Sequence, residues 1–274
     1  MDSLLVDASS AASRGAVVNN LIDYFVSLDQ SDGAEVQSGP GYTRWHTPIS
    51  HPWYNGVTCT LSPDKDACRF AEESIEHFKA RDVRVFSWWC RSAQSLTEWE
   101  PVLASLGFRR DDATPGMAVC LPSLHREYPF SPRLEIRVVR DLPALAEWVH
   151  TLIVGYELPR DWEDSFYRML AGMTLDWPVH YYLGYLNGHP VATSNAYLAS
   201  GVVGVYCVAT LPEARGQGLG AAVTLASLED GERLGYHVGV LQSSKMGYGV
   251  YQRLGFQHVC QIDHFVWANG TDQP

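Results

Sequence analysis

The sequence has no long apolar run and few basic residues, and both absences limit what the protein can bind. No stretch approaches the roughly 18 consecutive apolar residues of a membrane helix, and residues 1–16 lack the basic start and apolar core of a signal peptide. Lys and Arg total 20 against 31 Asp and Glu, a formal net charge of -11. Because nucleic-acid binding draws mainly on clustered basic side chains, we expect no nucleic-acid partner. We expect a cytoplasmic protein that contacts no membrane, and its acidity suits a cationic or neutral small substrate.

Cysteine is present without any metal-ligand pattern. The six cysteines, at positions 59, 68, 90, 120, 207 and 260, include no C-x-x-C pair or similar spacing, so we expect buried thiols and no metal. The chain is 46% hydrophobic and 19% charged, which is typical of a folded globular protein. Its 274 residues are enough for two domains of ordinary size.

The second half contains the pattern of three consecutive antiparallel strands joined by tight turns. Strand-like runs and turn dipeptides alternate in the order 181–186, Asn187-Gly188, 191–198, Ser200-Gly201 and 202–208. Asn-Gly between two such runs is the sequence signal of a two-residue hairpin. Upstream, 141–156 and 161–173 predict two helices, each with Asp at the N-cap. The proline-containing stretch 121–132 predicts a linker.

A glycine-rich segment follows this meander and leads into a helix. Apolar residues recur at i, i+3, i+4 and i+7 from Leu219 to Ala226, which predicts a helix that begins near Gly218 or Leu219 and ends by Gly235. A strand-like run and a helical stretch come next, at 237–241 and 248–254. This order predicts an α/β (α+β) unit, a mixed and mostly antiparallel sheet flanked by helices.

The chain also resembles itself at an offset of 148 residues. Gly56-Val57-Thr58-Cys59 matches Gly204-Val205-Tyr206-Cys207, and Leu106-Gly107-Phe108 matches Leu254-Gly255-Phe256. The offset is 204 minus 56 in the first match and 254 minus 106 in the second. Because solenoid repeats are far shorter, this period indicates two copies of a domain. We place the copies at residues 1–127 and 128–274.

The segment Arg215-Gly216-Gln217-Gly218-Leu219-Gly220 has the composition of an anion-binding loop. Its glycines let consecutive backbone N–H groups curl around an anion, and the following helix N-terminus adds partial positive charge. It lacks the Gly-Lys-Ser/Thr ending of a P-loop, and a meander precedes it where a dinucleotide fold would have a βαβ unit. The segment predicts a pyrophosphate site, and a tight turn that needs positive φ is the simpler alternative.

Two motifs together resemble those of the GCN5-related N-acetyltransferases, the GNAT superfamily. Residues 208–220 look like motif A, with its Arg/Gln-x-x-Gly-x-Gly/Ala loop, and Tyr251-Gln252-Arg253-Leu254-Gly255-Phe256 resembles the later Tyr-x-x-x-Gly-Phe motif. The resemblance covers about 133–267 and is dense only over 204–256. It implies two tandem GNAT-like domains. The second is expected to be an N-acetyltransferase with acetyl-CoA, or another acyl-CoA, as co-substrate and a small-molecule or peptide amine as acceptor.

The same resemblance assigns roles to individual residues. The pantetheine arm would pair with the strand at Cys207, Val208 and Ala209, and the Val208 or Ala209 amide would hold the oxyanion. The residues expected around the pyrophosphate are Arg215, Gly216, Gln217, Gly218, Leu219 and Gly220. Ser244 stands where many members have Asn or Ser near the pantetheine. Tyr251 would protonate the leaving thiolate, although an aromatic packing residue is the alternative for this position.

The base that deprotonates the amine stays open on the sequence. An alkylamine has a pKa near 10.4 and arrives protonated, so it must lose a proton before attack. The conceivable bases are Tyr206, Asn195, Glu157 and His180. Each could equally be a hydrogen-bonded structural group.

The first half lacks both motifs at the offset of 148. There Arg215, Gly216, Gly218 and Gly220 fall on Ala67, Cys68, Phe70 and Glu72, and Tyr251 falls on Leu103. We therefore expect a degenerate copy without CoA. Two other functions stay open, a CoA-binding sensor without turnover and a different CoA-thioester reaction such as decarboxylation or transfer of a larger acyl group. The sequence leaves the acceptor, the acyl group and the oligomeric state undetermined.

Overall fold

The computed structural model describes residues 4–8, 11–90, 93–173, 175–176 and 178–269. Its helices are α1 Ala11–Val26, α2 Lys65–Lys79, α3 Ala93–Ser105, α4 Leu142–Gly155, α5 Trp162–Ala171, α6 Leu219–Arg233 and α7 Tyr248–Leu254. Its strands are β1 Glu35–Gly39, β2 Tyr42–His46, β3 Gly56–Cys59, β4 Val85–Trp89, β5 Arg109–Arg110, β6 Thr114–Cys120, β7 Leu134–Val138, β8 Val179–Leu186, β9 His189–Ala199, β10 Val202–Thr210, β11 Val238–Gln242, β12 Gln257–Ile262 and β13 His264–Ala268.

The first sheet is formed by β6 to β12 and contains the predicted meander. Its strands follow the order β12-β6-β11-β10-β9-β8-β7 among the described residues. The strands β7 to β10 pair antiparallel with their neighbours, whereas β10 and β11 are parallel. The prediction of a mixed, mostly antiparallel sheet is confirmed for this part of the chain.

Two tight turns set the register of the meander. Asn187 and Gly188 have φ of 54° and 81°, and Ser200 and Gly201 have φ of 53° and 72°. Positive φ at both central residues is the geometry of a type I′ hairpin, whose twist matches that of the flanking strands. The predicted turns at these two dipeptides are confirmed.

Helices cover both faces of this sheet. Ser194 of β9 donates to the Val223 carbonyl of α6 at 2.8 Å, whereas the next residue, Asn195, donates to the Tyr24 hydroxyl of α1 at 2.8 Å. Because consecutive strand residues point to opposite faces, α6 and α1 lie on opposite sides of the sheet. The helix α4 shares the α1 face, where Trp148 packs edge-on against Tyr181, the cross-strand partner of Asn195.

Capping explains where two of the helices begin. The Asp141 side chain accepts from the Ala144 N–H at 2.9 Å, so α4 begins after the predicted N-cap. Asp161 precedes α5, as predicted, but its side chain makes no capping bond. The predicted helices at 141–156 and 161–173 are thus confirmed, and the second ends two residues early.

The second sheet has the same alternation of strand and helix. Its described strands follow the order β1-β2-β3-β4-β13-β5, with β3 and β4 parallel. Large aromatic side chains fill its core, including Trp88 and Trp99, whose ring centroids are 4.7 Å apart. Burial of such rings contributes most of the packing energy in a core of this kind. The whole chain is therefore mixed α/β, with two sheets flanked by helices, as predicted.

Each compact unit is discontinuous in the sequence. One unit comprises the described residues up to Tyr24 together with Pro115–Cys260, and the other comprises Phe25–Thr114 with the described residues from Gln261 onward. Accordingly β6 lies between β11 and β12 in the first sheet, and β13 lies between β4 and β5 in the second. This division differs from the predicted ranges 1–127 and 128–274, because one strand from each range completes the sheet of the other.

The repeat is visible in the strands, but its predicted register does not extend into the loop. Gly56 of β3 pairs with Ser87, and Gly204 of β10 pairs with Val240, both in parallel. Five residues, 60–64, join β3 to α2, whereas eight, 211–218, join β10 to α6. The mapping of the glycine loop onto Ala67, Cys68, Phe70 and Glu72 is therefore wrong, since all four lie within α2.

Within the described residues, no helix is both long and apolar enough to cross a membrane.

Candidate acyl-CoA site

Two parallel strands separate at one end of the first sheet. The strands β10 and β11 pair at Val203 with Gly239 and at Gly204 with Val240. Both strands are fully described, and beyond these positions the ladder between them ends although β10 continues to Thr210. On its other side, the ladder between β10 and β9 skips Cys207 and Val208. The backbone at this bulge is thus released from sheet pairing on both sides.

A cleft of about 250 Å³ opens where the strands separate. Val208, Ala209 and Thr210 of β10 form one wall, and residues of α7 with the turn before it form another. Nine of the eleven predicted site residues line this cleft: Val208, Ala209, Arg215, Gly216, Gly218, Leu219, Gly220, Ser244 and Tyr251. Cys207 and Gln217 are the two predicted residues outside it.

The glycine loop forms one end of the cleft. Gly216 and Gly218 have φ of 77° and 78°, a conformation that favours glycine, and Gly218 is the N-cap residue of α6. No side chain caps this helix end, so its first backbone N–H groups have no side-chain acceptor. The residues that carry them, 219–221, line the cleft. Positive helix-end charge and uncapped N–H groups together make an anion site.

Arg215 fastens this loop to the end of α4. Its Nη2 donates to the Gly155 carbonyl and to Glu157 Oε1, each at 2.9 Å, and its Nε donates to the Thr210 carbonyl at 3.3 Å. A Cβ at Gly155 would lie 2.9 Å from the Ala209 Cβ, so only glycine lets α4 approach β10 this closely. Arg215 therefore shapes the loop, and its guanidinium is already occupied by protein oxygens.

Tyr251 lies at the other side of the cleft, on α7. Its ring is 8% exposed and packs edge-on against Phe256 with centroids 5.8 Å apart. The ring also lies close to Gly247, where an added Cβ would be 2.9 Å from Tyr251 Cε2. Burial raises the pKa of the Tyr251 phenol above its ordinary value, so the hydroxyl stays protonated at neutral pH.

Ser244 holds the turn that precedes α7. Its hydroxyl oxygen accepts from the Gly247 N–H at 3.1 Å, and its carbonyl accepts from the Tyr248 N–H at 3.1 Å. The residue lines the cleft with its side chain engaged in this turn. Its hydroxyl hydrogen remains available as a donor, because a hydroxyl can donate one bond while it accepts another.

The two residues outside the cleft have other surroundings. The Cys207 thiol faces the α1 side of the sheet, 3.8 Å from the Tyr24 hydroxyl, and its carbonyl accepts from Thr193 Oγ1 at 2.8 Å. Gln217 is exposed and lines a second cavity on the outer side of the glycine loop.

None of the four conceivable bases lines the cleft. Tyr206 donates to Asn20 Oδ1, and Asn195 donates to Tyr24 on the α1 face. Glu157 is paired with Arg215. The His180 Nε2 lies 3.0 Å from Asp176 Oδ1. Each of the four side chains has a structural partner. Their contacts therefore support a structural role better than a role as the base that deprotonates the amine.

Several cleft residues have no motif that would reveal them. Tyr128 belongs to the proline-containing linker, Tyr156 is the residue that ends α4, and Arg253 lies inside the second motif without being part of its signature. They come together only because separate elements converge on the glycine loop.

Residues 145–256 match the sequence model of the Acetyltransferase (GNAT) family. They form a GNAT-family domain. No curated protein matches the chain in sequence. Among the described residues, no group of three His, Cys, Asp or Glu side chains is arranged to hold a metal ion.

Solved structures extend the GNAT fold over the whole chain. A GCN5-related N-acetyltransferase from Kribbella flavida superposes with a TM-score of 0.67 at 18% identity, over 95% of this chain and 97% of that one. A GCN5-related N-acetyltransferase from Sphaerobacter thermophilus gives 0.63 at 15% identity, over 97% and 96%. A tandem GNAT protein from the clavulanic acid biosynthesis pathway gives 0.61 at 12% identity, over 100% and 99%. The chain therefore has the tandem GNAT fold.

The GNAT-like unit that contains the second sheet, Phe25–Thr114 with the described residues from Gln261 onward, has no equivalent of the glycine loop between β3 and α2. Its connector is Thr60-Leu61-Ser62-Pro63-Asp64, without glycine. Asp64 Oδ1 accepts from the Asp66 and Ala67 N–H groups at 3.0 and 2.9 Å. The N-terminus of α2 thus holds the chain's own carboxylate where α6 leaves its N–H groups uncapped. The position of Tyr251 is taken by Leu103, which is fully buried.

Proposed function

We propose that the chain is an acyl-CoA-dependent N-acyltransferase that moves an acetyl group from acetyl-CoA to a primary amine by direct attack on the thioester. The observation that carries this proposal is the joint placement of the uncapped glycine loop, the bulge at Val208 and the Tyr251 side chain around one cleft. These three features meet three demands of the reaction, which are an anion site, an oxyanion donor and a proton donor. The proton acceptor for the amine is a further demand that they do not supply.

The pyrophosphate of CoA binds at the Gly216 to Gly218 loop, and the pantetheine arm extends between β10 and β11. The Val208 or Ala209 amide then faces the thioester carbonyl. Val208 N–H suits the oxyanion better, since the β9 ladder skips this residue whereas Ala209 pairs with Thr193. A preorganised donor at this position stabilises the charge that develops on the carbonyl oxygen.

The reaction forms a C–N bond from the amine nitrogen to the carbonyl carbon and breaks the C–S bond. Tyr251 donates its proton to the leaving thiolate, and the amine proton leaves to another acceptor. A thiol has an ordinary pKa of about 8.5 and a phenol about 10, so proton transfer from the phenol to the thiolate is unfavourable by about 1.5 pKa units in water. Desolvation also destabilises a thiolate that leaves inside the cleft, and this favours its protonation.

Mass spectrometry of the purified chain with acetyl-CoA and a mixed library of primary amines tests the proposal. We expect one or more amines to gain an acetyl group, with release of free CoA. The glycine-loop variant Gly218→Val should give neither product. Binding of CoA without transfer to any amine would favour a CoA-binding sensor. Loss of carbon dioxide from a carboxyacyl-CoA, supplied in place of acetyl-CoA, would favour decarboxylation.

A further inference from the structure

A second cavity continues from the cleft across the glycine loop. This outer groove has a volume of about 1200 Å³ and is lined by residues 124–129 and 216–218 with Gln252 and Arg253. Tyr128, Gly216, Gly218 and Arg253 line both cavities. The glycine loop is therefore the point at which the cleft and the outer groove meet.

The cleft is too small for a whole CoA molecule. Its volume of about 250 Å³ is below the roughly 300 Å³ at which sites for small organic ligands begin. A CoA whose pyrophosphate binds at the loop can place its pantetheine arm in the cleft. Its nucleoside end must then leave on the other side, and the outer groove occupies that side.

Arg253 is the cation that the groove leaves available. It is exposed on α7, and no carboxylate among the described side chains lies within ion-pair distance of it. The other arginine of the groove, Arg126, is paired with Glu232 and also donates to the Leu121 carbonyl. Glu127 adds one exposed carboxylate to the same lining.

Tyr128 holds Arg253 at the junction of the two cavities. Arg253 Nε donates to the Tyr128 hydroxyl at 3.3 Å. The Tyr128 ring stacks on Phe130 with centroids 5.4 Å apart and an interplanar angle of 21°. Its edge fills the position beside Gly218, where a Cβ would lie 3.0 Å from Tyr128 Cε1. The Tyr128 ring is therefore fixed on these sides, and its hydroxyl accepts from Arg253 where the two cavities meet.

We infer that the outer groove binds the adenosine 3′-phosphate end of CoA, with Arg253 as the ligand of the 3′-phosphate and Tyr128 as the residue that positions it. The inference rests on the proposed function, because it takes the pyrophosphate position from it. A guanidinium presents paired N–H donors that match a phosphate in charge and geometry. The linker between the repeats thereby contributes directly to selection of the co-substrate.

Calorimetric affinities for CoA and for 3′-dephospho-CoA test this inference. The wild-type chain should prefer CoA by about 10- to 100-fold, the range expected for charge-assisted hydrogen bonds. Arg253→Gln should reduce that preference to within about threefold while the affinity for dephospho-CoA stays unchanged. Tyr128→Phe keeps the ring and removes the bond to Arg253, so it should reduce the preference by a smaller factor.

Arg168→Gln is the matched control. Arg168 is an exposed arginine of α5 paired with Asp164, outside both cavities, so the variant makes the same charge change and should keep the full preference. Equal wild-type affinity for CoA and dephospho-CoA would overturn the inference and leave the proposed function intact. An unchanged preference in Arg253→Gln would overturn it in the same way. Failure of the wild-type chain to bind either compound would overturn both.

Discussion

Gly218→Val separates the role of the glycine loop from its effect on folding. Gly218 has φ of +78°, and a Cβ there would lie 3.0 Å from Tyr128 Cε1 and 3.4 Å from the Pro129 carbonyl oxygen. Gly235, after α6, has φ of +89°, and a Cβ there would meet nothing within 4 Å. Gly235→Val therefore imposes the same kind of backbone strain at a position that touches neither the cleft nor the groove.

The expected magnitudes differ between stability and binding. Residues held in such a conformation cost about 1–3 kcal/mol each, against a total stability of about 5–15 kcal/mol for a folded domain. Both variants should stay folded. Relief of the contact with Tyr128 moves the loop and removes at least two amide bonds to the pyrophosphate, each worth about 1.5–3 kcal/mol. The affinity of Gly218→Val for acetyl-CoA should thus fall by about 10²- to 10⁴-fold.

Calorimetry measures the affinity of each variant for acetyl-CoA, and urea unfolding measures its stability. We expect similar losses of stability in the two variants and a loss of affinity in Gly218→Val alone. An unchanged affinity in Gly218→Val would refute the assignment of the pyrophosphate to this loop. An equal loss of affinity in Gly235→Val would show that strain, and not the loop, is responsible.

Three other predictions concern the acid, the stoichiometry and the effect of pH. Tyr251→Phe keeps the buried ring and removes the hydroxyl, so kcat should fall by about 10²- to 10⁴-fold with little change in acetyl-CoA affinity. Titration with CoA should give one site per chain, because Asp64 already occupies the N-terminus of α2. Burial lowers the pKa of His51 to about 4. Its contribution to the free energy of unfolding should therefore be complete above about pH 6.5 and be lost as pH falls through 4, by about 1–3 kcal/mol in urea titrations. His51→Asn should flatten this dependence, because an amide does not titrate in this range. The Asn side-chain oxygen can take the place of the His51 Nδ1, which accepts from the Trp53 N–H at 3.1 Å.

Each of these has a contrary outcome. A loss of kcat below about threefold in Tyr251→Phe, with chemistry rate-limiting, would assign the proton to another donor. A fitted stoichiometry near two would mean that the unit containing α2 also binds CoA, although Asp64 caps that helix. An identical pH dependence in wild type and His51→Asn would remove the imidazole as its source.

Local patterns were sufficient for most of the first sheet, the one that contains the meander. The Asn187-Gly188 and Ser200-Gly201 turns and the helix after Gly218 depend on residues close together in the sequence, and the structure has them where the patterns indicate. The family resemblance, carried by the glycine loop and the Tyr251 motif, is confirmed by the match over 145–256. The roles of the individual site residues remain predictions.

Other features depend on pairing between distant parts of the chain. The pairing of β6 with β11 joins Val119 to Gly239, and no local pattern contains that information. The error in the first-half loop has a different cause. The strand β3 after Gly56 and the connector that follows it are each three residues shorter than their counterparts after Gly204, so α2 begins six residues sooner than α6. An offset taken from the strand therefore assigns α2 residues to loop positions. The contacts of Tyr128 with Gly218 and Arg253 were equally invisible, because the linker has no periodicity.

The placement of β6 and β13 has a consequence for how the protein is made and how it can evolve. The sheet that begins with β1 lacks an internal strand until β13, near the end of the chain, has left the ribosome. The first repeat should therefore wait, incomplete, while most of the second is synthesised. A deletion of either repeat would leave the surviving sheet with an unfilled position between two strands, whose unpaired N–H and C=O groups promote aggregation. The repeat that lacks the glycine loop is therefore still needed, because its strand β6 completes the sheet of the other repeat.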